Sequence, residues 1–222
     1  LEWAENKLGV ICNEFYGMTE VNHLIGNCEA LYPRKPGSMG RVYPGHKVLL
    51  IDDEQNEVGQ NIEGEIVTTS NSPTKFLGYL NNKDKEEEMK TGDYLRTHDL
   101  AVKDKEGYFW YKGRSDDLIK SSGFRIGPAE IEDALISNKA IVEAAVIGKP
   151  DKDRGQIVKA FVKLHKNYEP SKELIEDIRN YVKENLATYK APREIEFVNN
   201  FVMTSSGKIN RRVLRENEKK ID

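Results

Sequence analysis

The spacing of apolar positions changes character along the chain. Through residue 115 apolar residues fall in short runs separated by turn residues. From Asp117 onward, helical spacing alternates with strand spacing. Residues 8–12, LGVIC, form an apolar run of strand type leading into Asn13–Glu20, so that a strand end presents a hydroxyl and a carboxylate. Residues 36–112 read as strands and turns: a loop at 36–41, strands at Lys47–Ile51 and Gly64–Thr69, and Asp52–Asn56 punctuating between them. Asn82–Lys90 is a charged helix. Tyr94–Leu95, Leu100–Lys103 and Tyr108–Lys112 read as further strands of a small antiparallel barrel or sheet.

Beyond that, Gly127 and Pro128 open a helix over Pro128–Ile136, because proline at the first helical position lacks only an orphan N–H. Ala129, Ile131, Ala134 and Leu135 give it an apolar face, and Glu130, Glu132 and Asp133 lie toward its start, where the dipole favours anions. A strand at Ala144–Gly148, a loop at Lys149–Gly155 and a β-branched strand at Ile157–Leu164 follow. Ser171 caps a helix over Lys172–Leu186, Ala191-Pro192 stops it, and Glu194–Val198 is the last strand. The pattern predicts a β-rich portion, 1–115, followed by a compact α+β domain, 116–222, of about 105 residues, large enough to fold alone.

Composition narrows the function. The 222 residues are 38% hydrophobic and 32% charged with net charge −3, which describes a water-soluble protein and offers no general attraction to a polyanion. No apolar run approaches the length of a membrane span, and no signal peptide is visible at the start, which suggests the cytoplasm. Cys12 and Cys28 fit no metal-ligand spacing and read as reduced thiols. The chain opens without Met, as a fragment or processed piece would. An RNA-binding sheet needs exposed aromatics among basic residues, whereas 144–148 and 157–164 offer mainly Ala, Val and Ile; nucleic acid is not expected.

Three stretches carry candidate chemistry. Tyr16-Gly17-Met18-Thr19-Glu20 supplies a flat ring, a hydroxyl for phosphate and a hard oxygen ligand, although an ordinary loop with a core tyrosine has the same composition. Gly113–Glu132 gathers Arg114, two adjacent acids and a Ser-Ser-Gly turn ahead of the helix, as a joint between two bodies would. Thr204–Arg212 sets Lys208 on a Ser-Gly loop, where a solvated surface charge is the simpler account.

Together these stretches resemble the adenylate-forming superfamily of acyl-CoA synthetases, peptide-synthetase adenylation domains and luciferases. The Ser-Gly-Phe-Arg-Ile-Gly-Pro wording is nearest the medium-chain acyl-CoA synthetases. The resemblance covers nearly the whole chain but only the final portion of a full member. It implies a β-rich, distorted-barrel end of the large adenylation domain followed by a mobile α+β C-terminal domain. The missing N-terminal part of the large domain would hold the acyl pocket and the phosphate loop, so the chain alone is expected to be inactive.

The resemblance also distributes roles. Tyr16, after which Gly17 follows in the motif, stacks on adenine, Thr19 meets the α-phosphate and Glu20 holds Mg²⁺. Thr91-Gly92-Asp93 matches the family wording better than Thr97-His98-Asp99, but the order that follows Asp99 matches the family's, and Asp93 lies six residues too early. Asp99 is therefore assigned to the ribose, with Arg114 as second contact, a residue that otherwise reads as a surface ion pair. His98 stands where glycine is usual. Asp116 is the hinge, Arg125 assists the nucleotide phosphates, and Ser122 and Gly123 form an edge past which the coenzyme A arm runs. Lys208 enters for adenylation, with Val202 where proline is usual. The implied substrates are a carboxylic acid, ATP and coenzyme A, with AMP as product. An aryl-CoA ligase or peptide-synthetase adenylation domain is the nearest rival, and a non-catalytic nucleotide-binding module is the rival from another class.

Overall fold

The computed structural model describes residues 1–205 and 207–218; Ser206 of the tail motif lies outside the described residues. The chain divides into two compact units, Leu1–Ser115 and Asp116–Asp222.

In the first unit, helix α1 spans Glu2–Leu8 and ends on Gly9, whose left-handed backbone (φ 64°) lets its N–H reach Glu5. The strand expected over residues 8–12 does not form. Leu8 closes the helix, Val10 and Ile11 are exposed, and the Cys12 N–H donates to the Glu5 carboxylate at 3.2 Å instead of to a neighbouring strand. An apolar run without a pairing partner has nowhere to place its backbone hydrogen bonds as a strand. Pairing begins later, with β1 (Phe15–Met18), β2 (Asn22–Gly26) and β3 (Arg41–Val42) in an antiparallel three-stranded sheet.

A second sheet holds β4 (Val48–Ile51), β5 (Glu63–Thr69), β6 (Lys90–Thr91), β7 (Tyr94–Lys103) and β8 (Phe109–Arg114), with helix α2 (Lys83–Glu88) before β6. The sheets remain open, and no barrel closes among the described residues. Where two short strands were expected, β7 runs unbroken for ten residues through Thr97-His98-Asp99. Leu24, Ile25, Ile66, Leu95 and Phe109 are fully buried between the sheets and build one core. Each such side chain contributes on the order of 1.5–3 kcal/mol through burial.

The second unit opens with a 3-10 turn at Ser115–Asp117, shared across the division, and the hairpin β9 (Ile119–Ser121) and β10 (Phe124–Ile126). Helix α3 (Pro128–Ile136) matches its sequence prediction and buries Ile131 and Leu135. Strands β11 (Ile141–Asp151) and β12 (Gly155–Leu164) form a long hairpin, so Lys149-Pro150-Asp151, expected as loop, are strand. Proline is tolerated there because β11 is the edge of the sheet order β10-β9-β12-β11, where its missing N–H costs no ladder bond. Helix α4 (Lys172–Asn185) is capped by Ser171, whose hydroxyl accepts the Leu174 N–H at 3.1 Å. Strand β13 (Glu194–Phe197) joins β12 in parallel, and helix α5 (Arg211–Glu218) ends the described chain.

Strand alternation separates two faces of this sheet. Val146, Val158, Ala160 and Val162 pack with Ile131, Leu135, Ile178 and Val182 of α3 and α4. Intervening positions carry Ala145, Ile147 and Phe161, and among them Lys159, which is only 5% exposed.

Candidate functional site

In the first unit the site begins with the β1–β2 hairpin. Met18 C=O accepts the Val21 N–H at 3.2 Å, and Asn22 follows with φ 57°, a left-handed conformation that asparagine tolerates. Thr19 and Glu20 therefore occupy the tip of a tight turn, Thr19 exposed and Glu20 half-buried. Gly17 has a steric reason of its own: a Cβ there would stand 2.0 Å from the Asn22 carbonyl oxygen.

One oxygen of the Glu20 carboxylate accepts a hydrogen bond from Tyr79 Oη, leaving the other for a cation. Burial, then the bond to Glu20 and its charge, push the Tyr79 phenol up to about 12, so it stays a donor. No cluster of three or more His, Cys, Asp or Glu suited to a metal occurs among the described residues. The Glu20 carboxylate alone would offer a divalent cation one hard oxygen ligand, not a cage.

The second focus is Asp99, on β7 and 9% exposed. Tyr16 Oη donates to Asp99 Oδ2 at 2.7 Å; Tyr111 Oη lies 3.3 Å and Arg114 Nη1 3.5 Å from Oδ1. Register makes this convergence, since Asp99 pairs with Arg114 across β7 and β8. Burial, followed by the charge of Asp99, holds the Tyr16 phenol well above the ordinary tyrosine value, and one side of the ring packs on the core. Both oxygens of the Asp99 carboxylate are thus engaged, Oδ2 by Tyr16 and Oδ1 by Tyr111 and Arg114. Asp93, by contrast, sits exposed in the β6–β7 turn.

The backbone at Asp99 explains His98. Between the pairs Val67↔Arg96 and Glu65↔Leu100, three residues of β7 oppose one of β5, a bulge that puts His98 at φ 61°. Its N–H donates to Glu65 Oε1 at 3.1 Å, and Arg96 forks onto the same buried carboxylate, with Nε at 3.0 Å from Oε1. His98 thus adopts a glycine-like conformation and is tied down by Glu65.

The second unit holds the other candidates. Asp116 is exposed in the 3-10 turn. Ser122 (φ 49°) and Gly123 (φ 83°) form the two-residue turn between β9 and β10, a conformation that favours glycine. Arg154 steadies that turn, with Nη1 3.0 Å from Ser122 Oγ and its C=O accepting the Ser122 N–H at 3.0 Å. A Cβ on Gly123 would meet nothing within 4 Å, so the turn faces open space. Beside it Phe124 stacks on Tyr189 with ring centroids 4.2 Å apart, and Arg125 projects from an exposed position of β10.

Lys208 lies on a tied loop. Thr204 N–H donates to the Lys208 C=O at 2.7 Å, the Lys208 N–H returns to Thr204 Oγ1 at 3.1 Å, and Met203 bridges Ile209. The Lys208 side chain is exposed. The structure thus joins Tyr16, Asp99 and Arg114, and separately sets Thr19 beside Glu20 and Ser122 beside Gly123. Tyr79, Tyr111 and Arg154 were missed from sequence because no local motif carries them; only strand register and turn contacts bring them in.

The chain that carries this hairpin and the tyrosine–aspartate–arginine cluster belongs to the AMP-binding enzymes. The AMP-binding enzyme family profile matches residues 1–80, and that of the AMP-binding enzyme C-terminal domain matches residues 130–208. The 4-hydroxybutyrate--CoA ligase 1 of Metallosphaera sedula is 45% identical over 217 residues, covering 96% of this chain and 38% of the relative. The human mitochondrial acyl-coenzyme A synthetase ACSM4 is 43% identical over 225 residues, covering 98% and 38%. A solved anthranilate CoA ligase, AuaEII with anthranoyl-AMP, matches with TM-score 0.84 and 36% identity over 98% of this chain and 41% of that one. An ATP-bound RpMatB-BxBclM chimera matches with TM-score 0.87 and 34% identity, covering 96% and 42%. The chain thus spans about two-fifths of the length of these relatives. No described helix is long and apolar enough to cross a membrane.

Proposed function

We propose that this chain is the C-terminal portion of an ATP-dependent acid–coenzyme A ligase, residues 1–115 completing a larger adenylation domain and residues 116–222 forming its mobile partner. The observation that carries this is the convergence on Asp99 of Tyr16, 83 positions away in sequence, and Arg114, 15 positions away. In the first half-reaction a carboxylate oxygen bonds to the α-phosphorus of ATP and pyrophosphate leaves. In the second, the coenzyme A thiol gives up its proton, its sulfur bonds to the acyl carbon, and AMP leaves.

Asp99 and Arg114 hold the ribose, Tyr16 and Gly17 line the adenine, and Thr19 donates to the α-phosphate. Glu20, positioned by Tyr79, would hold Mg²⁺, which would supply neutralisation of phosphate charge. Lys208 stabilises the negative charge accumulating on the α-phosphoryl group, where a pre-aimed cation in a dry site is worth far more than in water. Rotation at Asp116 then withdraws Lys208 and presents the Ser122-Gly123 edge, with Arg125 toward the phosphates, for the thiol step. The exposed apolar side chains of Trp3, Leu8, Val10 and Ile11 support a covering N-terminal part of the large domain. Two unpaired cysteines agree with a reducing compartment such as the cytoplasm.

The test is coenzyme A ligation by the full-length protein over a panel of carboxylic acids, with both half-reactions followed separately. Lys208→Ala is expected to lower ATP–pyrophosphate exchange about 10²-fold or more, while sparing thioester formation from supplied acyl-adenylate. Equal loss in both would remove Lys208 from adenylation, and no ligation with any acid would sink the reading.

A further inference from the structure

Helix α5 follows the Lys208 loop directly, and Asn210 caps it, accepting the Val213 N–H at 3.3 Å. Arg211, Arg215 and Glu218 recur at i, i+4 and i+7 and so share one face of the helix. Each engages a different element. Arg211 forks onto the buried Glu132 of α3, with Nε 3.0 Å from Oε1. Arg215 Nη1 donates to Asp117 Oδ1 at 2.6 Å, the aspartate side chain being 13% exposed. Glu218, 3% exposed, accepts from Lys159 at 2.6 Å and lies 3.6 Å from Lys149.

A helix docked on its own domain usually turns an apolar stripe inward. Desolvating charges costs stability, so a charged stripe is a poor way merely to hold a helix. Directional ion pairs do something an apolar stripe does not: they fix the helix in rotation and along its axis. The partner of Arg215 lies one residue past Asp116.

We propose that Arg215 and Asp117 are positioning residues that fix the Lys208 loop to the backbone just beyond Asp116, so that turning at Asp116 is delivered to the ammonium group without slack. This rests on the reading that Lys208 acts in acyl-adenylate formation. Neither residue touches substrate; both act through Lys208.

The experiment is a double-mutant cycle in the full-length protein, with the two half-reactions measured separately and the melting temperature recorded for each variant. Arg215→Met is expected to lower ATP–pyrophosphate exchange about tenfold and to leave thioester formation from supplied acyl-adenylate within about twofold. On a Lys208→Ala background it should lower exchange by less than about twofold, because the group it positions is already gone. The exchanged pair, Asp117→Arg with Arg215→Asp, should recover most of the lost exchange. Parallel loss in both half-reactions, a full further loss on the Lys208→Ala background, or no loss at all would overturn the proposal. Should Arg215→Met not fold, Arg215→Lys decides on the same ratio of half-reactions. If Lys208→Ala itself leaves exchange intact, the adenylation reading fails; if it lowers exchange while Arg215→Met does not, only the positioning role fails.

Discussion

At Gly17 a close backbone approach is enough to set the residue type. With a Cβ 2.0 Å from the Asn22 oxygen, Gly17→Ala must open the hairpin, and we expect a loss of about 1–3 kcal/mol of stability, read from the denaturant midpoint. Asp104 gives the first unit a pH signature. Burial works to raise its carboxyl, but Lys35 at 2.8 Å, with the N–H groups of Tyr108, Trp110 and Glu106, outweighs it and brings the pKa down from 3.8 to about 2. A depressed carboxylate stabilises the fold above its unfolded value and loses that contribution as pH falls through its folded one. Stability should therefore decline between about pH 4 and pH 2, and Asp104→Asn should flatten that decline in an acid titration of unfolding. At this scale the sequence names its candidates by motif, as with Tyr16, Glu20 and Lys208. Tyr79 and Tyr111 go unnamed, because a lone tyrosine carries no spacing signal until register places it against a carboxylate.

Among the elements, α3 and α4 were legible because period and cap agree. Ser171 does what its position predicted, so Ser171→Ala should cost about 1 kcal/mol of stability with an unchanged denaturant slope. Strands β9 and β10 escaped the reading because each has three residues, too few to show alternation around the Ser122-Gly123 turn. Helix α5 escaped because its inward face is Arg211, Arg215 and Glu218, which hydrophobic periodicity ignores. Lys159 shows how such charge is tolerated: burial alone pushes its ammonium down, yet the bonds to Glu196 and Glu218 outweigh this and hold it above the ordinary lysine value. The break in β7 read from sequence was a bulge, since a left-handed residue at His98 interrupts the alternation without interrupting the strand.

For the whole molecule, the change of hydrophobic period near Asp117 coincides with the division into units after Ser115. If Asp116 is the pivot of the proposed cycle, Asp116→Pro should leave one half-reaction near normal and abolish the overall succession, as single-turnover measurements of each would show. Normal turnover through both steps would reject the pivot. The β1–β2 hairpin sets a further limit, on chain length. Because Tyr16 reaches Asp99 from the same ribbon whose tip carries Thr19 and Glu20, one residue gained or lost between 16 and 22 would turn the ring or the carboxylate to the opposite side. Libraries of single-codon insertions and deletions should therefore be barren there, yet productive in the solvent-facing Asp52–Asn56 turn, which bears no such cargo.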